Sequence, residues 1–293
     1  MLIQLLANGF VMGCSYTLVA LGFALIYSTT RTFHFVHGAV YTLAAYLFFT
    51  LHNLWHVPLI PAALIVIVFI ALFGIGIEEA LYRPLVKRGS SQLIQMLSSL
   101  GLYIVLVNVV AMLYGNETKV LNPGIQATHT IGGVILTQIQ VWTVVASVVL
   151  FALVAALLRF SRLGKLIRAL RDDPELVSAI GVSPRCLRWS VLALGSALAA
   201  VAAMLIGSDV GIDPNIGMAA ILNGAVAVII GGVGIFEGAA IGGVAIGLLQ
   251  SLAVWKFSAR WQDMVTFVLL VTFLFSRPQG IFGSQRRAEE MAK

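Results

Sequence analysis

Long apolar runs separated by short polar turns make up most of this 293-residue chain. A transmembrane helix needs about 20 consecutive, mainly apolar residues. By that measure the hydrophobic stretches are 3–29, 33–51, 58–78, 92–114, 138–158, 187–207, 215–230, 238–255 and 262–276. The pattern predicts an all-α membrane protein, a polytopic bundle of eight or nine transmembrane helices.

Glycine adds detail to this bundle. Pairs four residues apart, such as Gly9 with Gly13 and Gly243 with Gly247, allow helix backbones to approach closely in lipid. The segment GGVGIFEGAAIGG, residues 231–243, contains too many glycines for one straight helix, so it predicts a bend between two tightly packed helices. Irregular backbone of this kind is tolerated at membrane depth only where protein surrounds it. The bundle should therefore contain broken helices.

Composition supports a membrane protein and excludes several other classes. Hydrophobic residues are 60% of the chain, charged residues 10%, and the mean hydropathy is +0.99. The net charge of +6 is spread over loops and the C-terminus, so no basic surface for nucleic acid is expected. The N-terminal stretch is too long for a signal-peptide core and predicts an uncleaved first helix. We expect one membrane domain over residues 1–293.

Ten of the thirty charged residues lie between Arg159 and Arg188. Seven of the ten are basic, and the flanking stretches, 120–158 and 189–208, contain no Asp, Glu, Lys or Arg. Short loops rich in Lys and Arg lie on the cytoplasmic side. The region of about 159–188 is therefore predicted to be a cytoplasmic loop.

Two other basic segments should share that side. They are the loop with Arg83, Lys87 and Arg88, and the tail with Arg277, Arg286 and Arg287. Two hydrophobic stretches lie between the loop and the region 159–188, and four lie between that region and the tail. Because both numbers are even, the three basic segments lie on one side of the membrane, and the C-terminus is then cytoplasmic. Residues 29–38 leave the count open, because Arg31, His34 and His37 interrupt an apolar run. Nine spans place the N-terminus outside, whereas a re-entrant or broken segment there gives eight and places it inside.

Two helices are predicted within the charged loop. On a helical wheel Leu163, Leu166, Ile167 and Leu170 lie opposite the basic residues Arg162, Lys165, Arg168 and Arg171, which predicts an amphipathic helix along the membrane edge. Its simplest role is an interfacial anchor attracted by acidic lipids. A second, short helix follows from Pro174 to Ile180.

The short helix has marked ends. Asp173 is placed as its N-cap, Pro174 at its first position and Glu175 in its first turn, while Gly181 supplies the residue that closes it. Its apolar face is predicted to hold Leu176, Ala179 and Ile180. Helices this short are marginal alone, so a partner protein is expected to pack there.

Little in the sequence suggests catalysis. The Gly164–Lys165 pair lacks the other residues of a phosphate-binding loop, and no serine or cysteine nucleophile has a plausible histidine and acid. Cys14 and Cys186 lie in unlike settings, so neither a disulfide nor a metal site is expected. We predict no catalytic residue, no metal and no cofactor, and any ATP hydrolysis is expected on a separate chain.

Polar residues inside the predicted spans are candidate functional residues, because they are costly there. They are Tyr16, His37, Asn108 and Asn223, and for each the alternative is a structural hydrogen bond between helices. The stretch DPNIGMAA, starting at Asp213, begins a helix after a break and is a possible second-half counterpart of HFVHGAVY. Broken helices of such repeats often meet at the pathway through a transporter.

The chain resembles the permease subunits of branched-chain amino acid ABC importers, in the LivH-like branch. Five segments carry the resemblance in order from residue 13 to residue 283: GCSYTLVALGFALIYSTTRTFHFVHGAVYTLAAYL, LYRPL leading to SSLGLYIVLVN, RALRDDPELVSAIGVSPRCLRW, GGVGIFEGAAIGG and RPQGIFG. His34 stands where the family usually has Asn, and Cys14 and Thr17 stand at positions that are usually small.

The resemblance implies transport by alternating access in a bacterial inner membrane. It implies two ATP-binding subunits, a second, LivM-like permease subunit and a periplasmic substrate-binding protein. Asp173, Pro174, Glu175, Leu176, Ala179 and Gly181 are then the residues expected to couple to the ATPase. Tyr16, Phe35, His37 and Asn223 are expected along the substrate pathway. Membrane lipid is the other expected partner.

Three functions are consistent with the sequence. The first is an importer subunit for branched-chain or other hydrophobic amino acids. The second is the same class of importer for urea, short amides or another small organic solute. The third is a membrane-embedded enzyme or scaffold that uses the charged loop to bind lipid.

Overall fold

The computed structural model describes residues 2–121, 124, 126–258, 261–277 and 279–283, apart from the side chain of Ile131. Its helices are α1 Leu2–Thr30, α2 Val36–Phe49, α3 Leu59–Ile77, α4 Arg83–Lys87, α5 Gln92–Tyr114, α6 Gln138–Phe160, α7 Arg162–Asp172, α8 Pro174–Ala179, α9 Pro184–Val210, α10 Ile216–Gly231, α11 Phe236–Lys256 and α12 Gln262–Ser276. Two π-helical turns, Thr50–Leu54 and Glu78–Tyr82, extend α2 and α3. Arg286 and Arg287, which the topology prediction used, lie outside the described residues.

The chain is an all-α membrane protein. Six of the described helices are long and apolar enough to cross a membrane: α1, α3 with its extension to Lys87, α5, α6, α9 and α11. Arg83 and Lys87, predicted to lie in a loop, belong instead to helix α4, which continues the extension of α3. A short antiparallel hairpin was also not predicted, β1 Thr128–Ile131 with β2 Val134–Thr137. Its turn is Gly132–Gly133, both with positive φ, a pair that suits a two-residue hairpin.

The helices form a buried centre and a lipid-facing surround. In the most apolar window of each helix, 83% of the residues are buried in α1 and 61% in α9, against 28% in α3, 22% in α5 and 17% in α6. The central helices α1, α9 and α10 pack against α2, α3 and α11. Apolar residues are exposed on α3, α5 and α6 because lipid, not water, surrounds them.

Small residues let α1 and α11 cross closely, as the glycine pairs predict. A Cβ atom added at Gly13 would lie 2.6 Å from the Cα of Val244, and one added at Gly9 would lie 2.7 Å from the Cβ of Ser251. Gly247 meets the backbone of Gly9 and Gly13 in turn. Such approaches are closed to any larger side chain, so this part of the interface depends on van der Waals packing of backbone on backbone.

Hydrogen bonds define the two ends of the bundle. At one end Gln4 binds the backbone of Ile135 in the hairpin, and Lys119 pairs with Ile212 after α9. At the other end Arg31 donates to the carbonyl of Arg171 (3.3 Å), and Ile281 donates to the carbonyl of Ile230 (2.8 Å). The charged loop lies at this second end.

In the described part of the chain, the helices are broken at three places, of which the sequence predicted two and left the one near residues 29–38 open. Residues 31–35 separate α1 from α2, with Arg31 at φ 52°, and residues 211–215 separate α9 from α10. The glycine-rich segment bends between α10 and α11, where Gly232 and Gly234 adopt φ values of 108° and 81° that favour glycine.

Candidate functional site

The short helix α8 has the N-terminal cap that the sequence predicts. Asp173 accepts hydrogen bonds through Oδ1 from the amides of Glu175 (2.9 Å) and Leu176 (3.0 Å), and Pro174 occupies the first helical position. The helix ends at Ala179, one residue earlier than predicted, because Ile180 has already left the helical conformation. Gly181 follows with φ 80°, the left-handed conformation that closes the helix.

One residue anchors α8 and three face outward. Val177 is 1% exposed and packs in a small cluster with Leu170 of α7 and Leu187 of α9. Leu176 is 61% exposed, Ile180 is 62% exposed and Ala179 is exposed as well. Val177 was missed by the sequence analysis, although it is the apolar residue that falls outside the predicted face. An apolar patch displayed on a docked, capped helix at the charged end suits binding of another protein.

Helix α7 is amphipathic as predicted, and its apolar stripe faces the helices of the bundle. Ile167 and Leu170 are each 1% exposed, and the helix packs against α1, α6 and α9. Protein therefore covers the apolar stripe of this helix. Two of its basic residues turn inward as well: Arg168 donates to the carbonyl of Leu158, and Arg171 donates to the carbonyl of Gly234 (3.1 Å).

A carboxylate joins α3 to the start of α9. Glu79 accepts from Arg185 through two nitrogens (both 2.8 Å), from the indole of Trp189 (2.8 Å) and from Arg83 (2.5 Å). The Arg185 guanidinium also lies over the Trp189 ring, 4.6 Å from its centroid, and Arg188 pairs with Glu78 at 3.6 Å. Because the start of α9 follows directly after α8 and Gly181, this cluster ties the charged loop to α3. The sequence analysis did not identify Glu79.

A network of neutral polar side chains lies where α1, α10, α11 and α12 meet; we call it the Gln250 network. Gln250, with no exposed surface, accepts from the Tyr16 hydroxyl (2.8 Å) and donates to Asn223 (3.1 Å) and Thr266 (2.6 Å). Thr266 donates to Asn223 in turn (3.0 Å), and Gln262 reaches the Gln250 carbonyl oxygen at 3.5 Å. Satisfied networks of this kind fix one arrangement of their helices.

A second polar group lies at the break between α1 and α2. His34 and Tyr82 share a hydrogen bond of 2.5 Å, and the backbone amide of Phe35 donates to Ser99 (3.2 Å). His37 is fully buried beside Gly22, with its ring 5.9 Å from that of His34, and neither of its nitrogens has a hydrogen-bond partner among the described residues. Buried polar atoms normally find a partner, so this histidine is costly to keep.

The structure thus divides the four predicted pathway residues into two groups. Tyr16 and Asn223 both bind Gln250 in the Gln250 network, whereas Phe35 and His37 belong to the group at the α1–α2 break. Asn108 lies on the exposed side of α5, where its amide donates to Ile104 of the same helix (2.8 Å). It therefore joins neither group. Gln250 and Thr266 were missed, although both are polar residues inside predicted spans, the signal that selected Asn108.

The two helix breaks meet. Thr42 of α2 donates to the carbonyl of Pro214 (3.3 Å), and a Cβ atom added at Gly217 would lie 2.6 Å from the Thr42 hydroxyl. Gly38 and Gly217 touch backbone to backbone. The stretch DPNIGMAA and the stretch HFVHGAVY therefore begin helices that pack on each other, as expected of paired breaks in a transporter.

Together these features define a polytopic helical membrane protein with buried polar groups between its helices and, at its charged end, a capped short helix with an exposed apolar face. The chain belongs to the branched-chain amino acid transport system permease component family, whose model matches residues 5–274.

Curated relatives agree with the family. The chain is 33% identical to the high-affinity branched-chain amino acid transport system permease protein BraD of Pseudomonas aeruginosa, over 96% of this chain and 95% of that protein. It is 30% identical to LivH, the corresponding permease protein of Escherichia coli K12, with the same coverage of both chains. A fainter likeness in fold, with a TM-score of 0.49 and 13% identity over 98% of this chain and 94% of the other, is to PsaBC from Streptococcus pneumoniae in complex with Fab.

Proposed function

We propose that this chain is the permease subunit of an ATP-binding-cassette importer. It moves branched-chain or other hydrophobic amino acids across the bacterial inner membrane by alternating access, driven by separate ATPase subunits. The observation that carries the proposal is the similarity to BraD and LivH over 96% of the chain. The largely apolar interior suits aliphatic solutes, because few charges there would have to be desolvated.

The coupling surface is the outward face of α8. Leu176, Ala179 and Ile180 contact an ATP-binding subunit, Asp173, Pro174 and Glu175 hold the start of the helix, and Gly181 permits its abrupt end. Val177 transmits movement to α7 and α9, and the Glu79 cluster carries it on to α3. A rigid path between a docking helix and the bundle is what ATP-driven rearrangement requires.

Nine apolar helices cross the membrane in this proposal: α1, α2, α3, α5, α6, α9, α10, α11 and α12. The contacts at the two ends support alternating directions, since Gln4 lies by the hairpin and Arg31 by α7. The break at residues 31–35 then lies between two spans rather than inside one. The N-terminus is periplasmic, and the charged loop and the C-terminus are cytoplasmic.

The substrate pathway runs beside the Gln250 network and the paired breaks. Tyr16 and Asn223 border it through the network, and Phe35 and His37 border it at the α1–α2 break. The unpaired nitrogens of His37 support this assignment, because polar groups that are costly in the membrane are kept where a solute or water must pass. The pathway is completed by a second, LivM-like permease subunit, and a periplasmic substrate-binding protein delivers the solute.

A matched pair of variants at Gly181 tests the coupling assignment. The complex of this chain with its ATP-binding subunits, permease partner and substrate-binding protein is reconstituted in proteoliposomes, and ATP hydrolysis and leucine uptake are measured together. Gly181→Val should uncouple hydrolysis from uptake, because a β-branched residue does not adopt φ 80°. Gly181→Asn, which tolerates that conformation, should remain coupled.

Reversing charge at the first turn of α8 is a second test. Glu175→Arg should also uncouple hydrolysis from uptake, since it places positive charge at the helix N-terminus. Wild-type uptake by assembled complexes of both Gly181→Val and Glu175→Arg would refute the coupling role of α8. A chain that purifies stably and retains no ATP-binding subunit would instead favour a membrane-embedded enzyme or scaffold.

The transported solute has one alternative to the branched-chain or other hydrophobic amino acids. His34, where the family usually has Asn, is fully buried against Tyr82 at the α1–α2 break, so the pathway differs there in hydrogen-bonding character. Urea, a short amide or another small organic solute is the alternative cargo. Titrating the cognate substrate-binding protein with leucine, isoleucine, valine and urea decides between them, because the delivering protein performs much of the selection.

A further inference from the structure

An apolar groove opens on the side of the bundle between α6 and α11. Helix α1 forms its floor, and α6 and α11 make few direct contacts with each other. The cavity has a volume of about 580 Å³ and is lined by Phe10, Thr17, Phe151, Ile241, Val244 and Leu248, among others. It extends along α11 from Glu237 to Leu248, about 16 Å at 1.5 Å per residue.

A basic mouth adjoins this groove at its cytoplasmic end. A second cavity of about 490 Å³ is lined by Arg159, Arg168 and Arg171 and by the turn before α11. Glu237 lines both cavities, so the two adjoin at this residue, and the mouth contains one acidic side chain against three basic ones. Arg171 also pairs with Asp172 at 2.9 Å.

The arginines keep hydrogen-bonding capacity for a ligand. Arg168 gives one nitrogen to the carbonyl of Leu158, and Arg171 gives one to Gly234 and another to Asp172. A guanidinium carries five N–H donors, so donors remain on each. These backbone contacts also hold the two side chains in place, and arginine in a fixed orientation suits bidentate binding of phosphate.

We propose that this groove binds an anionic phospholipid of the cytoplasmic leaflet. One acyl chain lies along α1 between α6 and α11, and the phosphate headgroup binds Arg159, Arg168 and Arg171. The combination of an apolar groove with a basic mouth favours an acyl chain with a phosphate headgroup, since an apolar helix has no group for the three arginines to bind. Basic pockets between transmembrane helices on the cytoplasmic side are suited to anionic headgroups.

The bound lipid would bridge α6 and α11, which touch each other little. Its headgroup would bridge the end of α6, the helix α7 and the turn before α11, next to the charged loop that carries α8. The proposal also relocates the lipid contact expected of α7. Its apolar stripe is covered by protein, whereas two of its basic side chains face the groove.

Native mass spectrometry of the full chain in mild detergent tests the proposal. Phosphatidylglycerol and phosphatidylcholine with identical acyl chains are titrated, and retention of each lipid is measured. The wild type should retain phosphatidylglycerol preferentially. The double variant Arg159→Gln/Arg168→Gln should bind it about 25-fold more weakly, because each basic residue near an anionic headgroup contributes about fivefold.

Two further variants make the result specific. Arg162→Gln/Lys165→Gln removes the same charge from the exposed side of α7 and should retain the wild-type preference. Ala245→Trp fills the apolar groove without changing charge and should reduce binding of both lipids. Thermal unfolding in phosphatidylcholine alone shows that each variant is folded before its lipid binding is read.

Three outcomes would overturn the proposal. The first is equal retention of phosphatidylglycerol and phosphatidylcholine by the wild type. The second is the same loss of phosphatidylglycerol in the exposed control pair as in the groove pair. The third is a photo-crosslinker at Ile241 that labels a second permease subunit and no lipid in the membrane, which would make the groove a protein interface.

Discussion

Helix α8 and the Gln250 network are both polar or charged features of a very apolar chain, but they are built in opposite ways. The N-cap, the closing residue and the outward face of α8 all lie between Asp173 and Gly181, and that face is exposed. The Gln250 network joins four helices across 250 residues and is largely buried. The exposed face of α8 is suited to bind a protein, and the Gln250 network holds four helices together. Changes at α8 should therefore affect coupling, and changes in the network should affect solute transport.

The largest effect is expected where α8 is anchored. Val177→Asp should reduce ATP-driven uptake at least about tenfold, because burying an unpaired carboxylate costs several kcal/mol and undocking α8 avoids that cost. Uptake in proteoliposomes measures this. Ser178→Asp adds the same charge on the exposed side of α8 and should have little effect on docking. Equal losses in the two variants would mean that charge, and not docking, is what matters.

A smaller but still large effect is expected at the centre of the network. Gln250→Leu leaves Tyr16, Asn223 and Thr266 short of partners, each buried unsatisfied group costing about 1–3 kcal/mol. The melting temperature of the purified complex and its uptake rate should both fall, while ATP hydrolysis stays coupled to the uptake that remains. Uncoupled hydrolysis in this variant would contradict the division of roles between α8 and the network.

A moderate effect is expected at Glu79. Glu79→Gln keeps the shape of the side chain but weakens its contacts with Arg83, Arg185 and Trp189. We expect coupling to fall by about twofold to tenfold with little change in binding of the ATP-binding subunit, since charge-assisted hydrogen bonds contribute about 1.5–3 kcal/mol when intact. Pull-down of that subunit, compared with the ratio of uptake to hydrolysis, separates the two. Loss of subunit binding would mean that Glu79 belongs to the docking surface itself.

The smallest effect is expected at Tyr16. Tyr16→Phe removes one hydrogen bond from the network, worth about 1 kcal/mol, and leaves the rings packed as before. The concentration of solute that gives half-maximal uptake should change severalfold with hydrolysis still coupled. Tyr27→Phe, near the C-terminal end of α1, is the control, and a similar change there would remove the argument for Tyr16 as a pathway residue.

The contrast also explains how much the sequence could predict. The cap at Asp173, the closing residue Gly181 and the breaks near residues 31 and 211 depend on neighbours a few positions away, and local chemistry is visible in a sequence. The boundaries of the long helices follow from where apolar runs stop. Close packing at Gly13 and Gly247 was predictable from spacing alone.

Tertiary partners were not predictable in the same way. Gln250 has no local motif, and its partners Tyr16, Asn223 and Thr266 come from three other helices. In the sequence Glu79 is an ordinary charged residue at the end of a helix. Its partners Arg185 and Trp189 come close to it only in the folded protein. For α7 the helical wheel correctly predicted an apolar face. A helical wheel does not show whether lipid or protein covers that face.

The central claim is that α8 is the surface through which a separate ATPase drives this permease. A photo-crosslinking amino acid placed at Ile180, and at Met112 as a still more exposed control at the other end of the bundle, tests it in cells that express the whole importer. The account predicts an adduct between position 180 and an ATP-binding subunit, and none from position 112. An absence of that adduct from position 180, or an adduct of equal yield from position 112, would contradict it.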